Sequence, residues 1–444
     1  MKFSALFITV LLMCCSVKAQ QPSYKFDFGN ERPTKGYISI GEGSNYTEEL
    51  GYGFTNGSQV KAFDRGGNTL TGDFITSDKP FYFSVKLPDG NYDVKVILGD
   101  AKGTSATTVR TECRRLMLEN IKTAKGKIAT QNFTVYVKDS LIRDVSGKVI
   151  SKVRLKPRES EYLHWDNMLT IEFNDSLPKV CAVEITPNKT ATTIFLAGNS
   201  TVVDQSREPW ASWGQMIPRF FVPGKIAVAN YAESGEALNS FLSAKRLEKI
   251  LSVMKPGDYL FIEFGHNDMK QKGEGIGAFT SYKKNLQRYI SEVKKKGGIP
   301  VLVTSMHRRR FDSTGHIVNT LEDYPDAVRQ TAKEENVALI DLNAMSKILY
   351  EAWGPEKSIK AFVHYPANTF PGQTTKLEDN THFNTYGAYE LAKCIITGIR
   401  HQNLPLAKLI KKDVPVFDPA KPLAFEKFYW PMSSFVTATK PDGN

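Results

Sequence analysis

Between residues 20 and 188 apolar and polar side chains alternate with a period of two. Tyr24-Lys25-Phe26-Asp27-Phe28 is one such run, and residues 81–87 and 92–98 are two more. Pro88-Asp89-Gly90-Asn91 stands between the last pair, a composition that favours a tight turn. Residues 133–137, 169–173 and 180–185 read as further strands. Many short strands separated by Gly, Asp and Asn turns predict an antiparallel β-sandwich. Near Pro187 the pattern changes. Short apolar runs at 193–197, 226–229, 259–264, 299–304 and 337–340 alternate with helical periodicity at ~237–254, ~280–296, ~324–335, ~343–352 and ~385–400. In the third helix Ala327, Val328 and Ala332 share one face. Lys255-Pro256-Gly257-Asp258 and Gly297-Gly298 each close a helix and open a strand. Such alternation predicts a parallel sheet covered on both faces, an α/β three-layer sandwich. The expected division is therefore an all-β sandwich over residues 20–188 and an α/β domain over 189–444, with ~402–444 as a tail over its surface.

The first nineteen residues follow another rule. Lys2 precedes a compact apolar stretch from Ala5 to Met13, and Val17-Lys18-Ala19 offers small residues for cleavage before Gln20. This reads as an export signal, and the apolar run is too short to span a bilayer. No later segment is apolar enough to cross a membrane, so the mature chain is expected to be soluble and periplasmic or secreted. Of five cysteines, Cys14 and Cys15 lie in that segment. Cys113, Cys181 and Cys394 remain, too few and too widely spaced for a disulfide framework or a zinc pattern. One Cys113–Cys181 bridge and three buried thiols are both compatible with them. The formal charge is +11, and removal of Lys2 and Lys18 leaves +9. A basic exported protein suits an acidic polymer or an anionic surface. The basic residues are spread out, and no nucleic-acid-binding motif accompanies them.

Four polar elements stand at predicted strand ends or before the final helix, where ligands bind in parallel sheets. They are Gly198-Asn199-Ser200-Thr201, Glu233-Ser234-Gly235, Gly265-His266-Asn267-Asp268 and Asp379-Asn380-Thr381-His382. A serine at a strand-to-helix turn most often caps the helix, so Ser200 draws its weight from its company. A hydroxyl needs a neighbouring base to become a nucleophile. Asp379 and His382, three residues apart on a helical turn or tight loop, can orient one imidazole with its free nitrogen outward. The N–H groups of Ser200 and Gly235 and the Asn267 amide can converge on an oxyanion. His307, Arg308, Arg309 and Arg310 follow a strand end, and arginine presents a planar fork to a carboxylate. His307, Arg308 and His364 are thus candidate substrate contacts, although a solvated charge run or loop hydrogen bonds serve equally well. Tyr46, Tyr52 and Trp165 suit either the sandwich core or a sugar-stacking surface. His307, His364 and His382 lack the short spacing of a zinc site, and no glycine-rich phosphate loop occurs, so no metal or cofactor is expected.

These four elements, in this order, resemble the SGNH or GDSL-like hydrolase superfamily over ~190–400, with Ser200, Gly235, Asn267, Asp379 and His382 at its motif positions. Residues 209–216, 264–268, 306–311 and 379–387 resemble the rhamnogalacturonan acetylesterases within it. The resemblance implies a flavodoxin-like hydrolase domain. It implies that Ser200, Asp379 and His382 hydrolyse acetyl esters of an acidic pectic polysaccharide without a cofactor. The all-β half resembles, in outline, the galactose-binding-like domains attached to carbohydrate-active enzymes. Two alternatives are an esterase for another acetylated glycan such as xylan and a non-catalytic carbohydrate-binding protein. The chain departs from the family at Asn199, where the family has aspartate. Asparagine keeps an acceptor oxygen but loses the charge.

Overall fold

The computed structural model describes residues 22–29 and 33–442, so the export segment read at 1–19 lies outside the described residues. Two large sheets and a small ribbon, Leu141–Arg143 paired with Val149–Lys152, make up the N-terminal half. One runs in the order Ile128–Val137, Gly90–Gly99, Lys179–Pro187, Tyr24–Phe28, Ile38–Ile40, with Asp73–Thr76 and Lys61–Asp64 added beside Lys179–Pro187. The other runs Tyr52–Thr55, Phe81–Lys86, Met168–Leu177, Ser105–Thr111, Arg115–Thr123. Every ladder in them is antiparallel except that between Tyr24–Phe28 and Ile38–Ile40. The period-two residues meet between the sheets, where Phe83 packs edge-on against Phe26 and Phe28 with ring centres 5.0 Å from each.

The strands Ser105–Thr111 and Arg115–Thr123 were not anticipated because they do not alternate. Ser105–Thr111 is buried on both faces, and its polar side chains find partners inside, as with Arg110 and Glu172 at 2.8 Å. Tyr52 packs on Phe26, Trp165 is buried, and Tyr46 donates to Glu48. Cys113, Cys181 and Cys394 are free and buried, so no bridge joins the first two.

In the C-terminal half five parallel strands lie in the order Ile226–Asn230, Thr192–Gly198, Tyr259–Glu263, Ile299–Val303, Ala338–Ile340. The chain thus reverses direction between its first and third strands, and a crevice opens at such a switch point. The first strand is apolar on both sides. Ile194 and Leu196 pack with residues of Leu342–Lys357 and Thr385–His401. Phe195 and Ala197 pack with residues of Leu238–Ser243 and Lys283–Lys295.

The helix expected over ~237–254 is two helices, Leu238–Ser243 and Arg246–Val253, parted by Lys245 at φ +62°. The sandwich causes the break. Arg154 donates its backbone N–H to the Ala244 carbonyl at 3.0 Å and its guanidinium to that of Ser243, and Lys245 reaches Ser151 at 2.6 Å. The tail also differs from expectation, because it packs on both halves. Arg110 and Asn174 of the sandwich donate to the carbonyls of Pro431 and Met432, and Trp430 and Ser433 donate to Glu208 of the other half. Arg114 pairs with Glu208 and Arg115 with Asp204, both at 2.8 Å and both buried.

Candidate active site

Each strand end of the crevice supplies one polar group. Ser200 follows Thr192–Gly198 in a turn where Val202 and Val203 donate their N–H groups to the Asn199 carbonyl, both at 3.0 Å. Asn199 Oδ1 accepts from Thr201 N at 3.0 Å and Thr201 Oγ1 at 2.8 Å, as the family's aspartate would, while its buried Nδ2 has no hydrogen-bond partner among the described residues. Residues 209–216 brace this turn. Ser212 Oγ donates to the Val203 carbonyl at 2.6 Å, Gln215 Nε2 to that of Gln205 at 2.9 Å, and Trp213 Nε1 to Glu263 at 2.8 Å. Burial pushes the Glu263 carboxyl up to about 7 against the hydrogen bonds of Trp213, Thr201 and Ser305.

His382 Nε2 lies 2.8 Å from Ser200 Oγ, and His382 Nδ1 lies 2.8 Å from Asp379 Oδ2. All three residues are buried. They do not share a helical turn. Asp379 and His382 lie on the strand Leu377–Phe383, which pairs with Phe362–Tyr365. On a regular strand residues three apart face opposite ways. Here Phe362 faces Phe383 while the next residue, Val363, faces Asp379, so residues 380–382 bulge out of the ladder. Asp379 Oδ1 pins the bulge by accepting from Thr381 N at 2.7 Å and His382 N at 2.9 Å. Burial opposes the Asp379 charge, but the hydrogen bond and charge of His382, with those backbone N–H groups, hold its pKa far below the ordinary carboxylate range.

Two groups complete the surroundings of this relay. The Trp210 ring stands edge-on to His382 with centroids 5.7 Å apart. Lys440, from the tail, places its ammonium 3.3 Å from the same Asp379 oxygen that holds His382. Sequence reasoning missed Lys440, since nothing local marks a lysine more than fifty residues beyond His382 as its neighbour in space.

Gly235 follows Ile226–Asn230 at φ +81°, and an added Cβ would meet Asp442 Cβ at 3.0 Å and Lys156 Nζ at 3.1 Å. Only glycine fits that backbone without strain. Asn267 follows Tyr259–Glu263 and donates Nδ2 to the Glu236 carbonyl at 3.0 Å. Its neighbour Asp268 accepts from Leu238 N at 2.9 Å and Gly265 N at 3.0 Å, tying two strand-end loops together. His266 is buried, and desolvation with Arg308, His382 and Lys270 nearby keeps its imidazole neutral.

The other sequence candidates fall around the bulge. Arg309 donates to Ser358 at 2.9 Å and to Asn380 Oδ1 at 3.0 Å, and His364 Nε2 lies 3.0 Å from the same oxygen. Arg308 donates to the Thr320 carbonyl at 3.1 Å. His307 is buried, its N–H on Ser346 Oγ, and burial with Lys347 and Arg329 brings its imidazole down to about 4. Arg310 is exposed. The three arginines therefore do not point into one pocket. Among the described residues no three His, Cys, Asp or Glu side chains converge to hold a metal ion, and no helix is long and apolar enough to cross a membrane.

Residues 196–388 match the GDSL-like lipase/acylhydrolase family, and residues 24–148 match the β-agarase/YXIM esterase-like, galactose-binding domain-like family. A rhamnogalacturonan acetylesterase of Bacillus subtilis is 45% identical over 215 residues, which cover 48% of this chain and 91% of that protein. The uncharacterized esterase YxiM of the same organism is 27% identical over 415 residues, covering 90% of this chain and 98% of YxiM. The crystal structure of the YxiM protein aligns with 86% of this chain and 99% of its own, at 26% identity and a TM-score of 0.46.

Proposed function

Because the chain belongs to the rhamnogalacturonan acetylesterase family of GDSL-like hydrolases and is a carbohydrate acetylesterase, we propose that it deacetylates an acidic pectic polysaccharide through Ser200, His382 and Asp379. The observation that carries this reading is the unbroken chain from Ser200 Oγ to His382 Nε2 and from His382 Nδ1 to Asp379, both links 2.8 Å.

Ser200 Oγ attacks the acetyl carbonyl carbon while His382 Nε2 takes the hydroxyl proton, and the carbonyl oxygen becomes an oxyanion. Asp379, held in its charged form by His382 and the backbone N–H groups, fixes Nδ1–H inward and stabilises the imidazolium. The N–H groups of Ser200 and Gly235 and the second N–H of the Asn267 amide are the donors proposed for the oxyanion. Each such donor is typically worth ~3–4 kcal/mol in the transition state. Collapse breaks the ester C–O bond, and His382 returns the proton to the departing sugar oxygen. Water, deprotonated by His382, then attacks the acetyl-serine, the Ser200 Oγ–carbonyl bond breaks as His382 returns the proton to Oγ, and acetate leaves. Asn199 supports the turn without touching the reacting atoms. In the same reading residues 1–19 direct export to where such polymers lie. Of the candidates His307, Arg308 and His364, the reading keeps Arg308 as a substrate contact, because its guanidinium can present a planar fork to a carboxylate.

Acetate release from acetylated rhamnogalacturonan and acetylated xylan tests the reading. The acidic polymer should have the higher kcat/KM at low salt, and added salt should narrow the gap. An equal or reversed preference would give the site to another glycan.

A further inference from the structure

A cavity of about 310 Å³ is lined by Gln205, Trp210 and Lys440, which contact Ser200, His382 and Asp379 respectively, and all three parts of the chain build it. Trp210 and Ser234 line its inner end. Trp210 is the residue against His382, and the Ser234 hydroxyl and the Ser200 carbonyl share the Gln205 amide as donor. Tyr162 of the sandwich forms another wall, and Lys440 of the tail a third. Arg207 completes it from the loop after the nucleophile.

The charges here are not equally committed. Arg158, also in the wall, is held by buried Glu233 and by Asp442. Among the described residues Arg207 has one carboxylate partner, Glu161, at 3.4 Å, and their side chains are 44% and 73% exposed. Such a pair is weak, so a ligand carboxylate can displace Glu161 at small cost. The Lys440 side chain is 46% exposed and touches Asp379 with one of its three donors. Two cations with spare hydrogen-bonding capacity thus line one cavity near the reacting centre, Arg207 from the loop after Ser200 and Lys440 from the tail.

We propose that Arg207 and Lys440 form a subsite for the carboxylate of a uronic acid residue of the acetylated chain. This rests on the acetylesterase reading and extends it beyond the motif positions Ser200, Gly235, Asn267, Asp379 and His382. Arg207 supplies the planar fork, Lys440 a point charge, and Tyr162 a surface for the sugar ring. The β-sandwich and the tail thereby shape specificity as well as stabilising the hydrolase half.

The test uses the full chain, hydrolysis of 4-nitrophenyl acetate, and unacetylated oligogalacturonide or xylo-oligosaccharide of equal length as competing ligands. The wild-type protein should be inhibited about tenfold more strongly by the charged oligosaccharide, and Arg207→Met and Lys440→Met should each remove most of that difference. Arg207→Lys should restore part of it. Glu161→Gln, by freeing Arg207, should strengthen oligogalacturonide inhibition about threefold, a gain that misfolding does not produce. Equal inhibition by both ligands, or variants with wild-type inhibition constants, would overturn the subsite. A protein inhibited as predicted that nevertheless released acetate faster from acetylated xylan would keep the subsite and lose the pectic substrate.

Discussion

Asn199 shows what one substitution does and does not change. Its Oδ1 keeps the two hydrogen bonds that hold the turn, and the cost is an unpartnered Nδ2. Asn199→Asp should therefore leave kcat within about tenfold of the natural protein. A variant that gained several orders of magnitude would mean that the natural site is decayed. Glu263 makes a second prediction at this scale. Its carboxyl rises from 4.5 to about 7 on folding, so its protonated form is the one the fold favours. That contribution is fully present below about pH 4.5 and is lost as pH rises through 7. Relative to the natural protein, Glu263→Gln should gain about 2–3 kcal/mol of stability between pH 4.5 and 8, read from denaturant midpoints at the two pH values. A pH-independent difference would place the charge elsewhere. Ser200, Asp379 and His382 were legible in the sequence as a group because a hydroxyl, a carboxylate and an imidazole at strand ends have few other reasons to co-occur. Lys440 and Trp210 were not, since their roles exist only once the tail and the 209–216 segment have folded onto the bulge.

Among the elements, regular strands and helices declared themselves through periodicity, and irregular ones did not. Asp379 and His382 were expected on a helical turn or tight loop and stand on a bulged strand. The bulge spans the three-residue spacing and supplies the geometry. The break at Lys245 was invisible because the sandwich, not the local sequence, takes the carbonyls of Ser243 and Ala244. Gly235 tests how far a turn controls chemistry. Alanine there must hold φ near +81° and push on Asp442 and Lys156, at a cost of about 1–2 kcal/mol. If its N–H belongs to the oxyanion hole, Gly235→Ala should lower kcat at least about tenfold while KM for a small acetyl ester changes little. Full kcat with a lowered melting temperature would make Gly235 purely structural.

At the scale of the whole molecule, two patterns that change over near Pro187 are legible in the sequence, but how tightly the halves join is not. Buried ion pairs do much of the joining. Arg246 meets Glu159, both fully buried, and Arg158 meets Glu233. Burial and the nearby Glu159 push Glu233 up to about 7 against the pull of Arg246 and Arg158. Removing one partner of a buried pair strands the other charge, so Arg246→Met should destabilise the protein by about 3 kcal/mol. It should also separate the unfolding of the two halves, where the natural chain is predicted to melt in one transition. An unchanged single transition would mean that the tail and the apolar contacts suffice.

The central claim is that Ser200 carries the acetyl group. The direct measurement is rapid quenching of the enzyme with a slowly hydrolysed aryl acetate, followed by peptide mass mapping, in the natural protein and in Ser200→Ala. Acetylation confined to the peptide holding Ser200, its appearance matching the burst of released phenol, and both lost in the variant, is the predicted result. A variant that keeps more than about a tenth of the hydrolysis rate, or an acetyl group found on another residue, would contradict it.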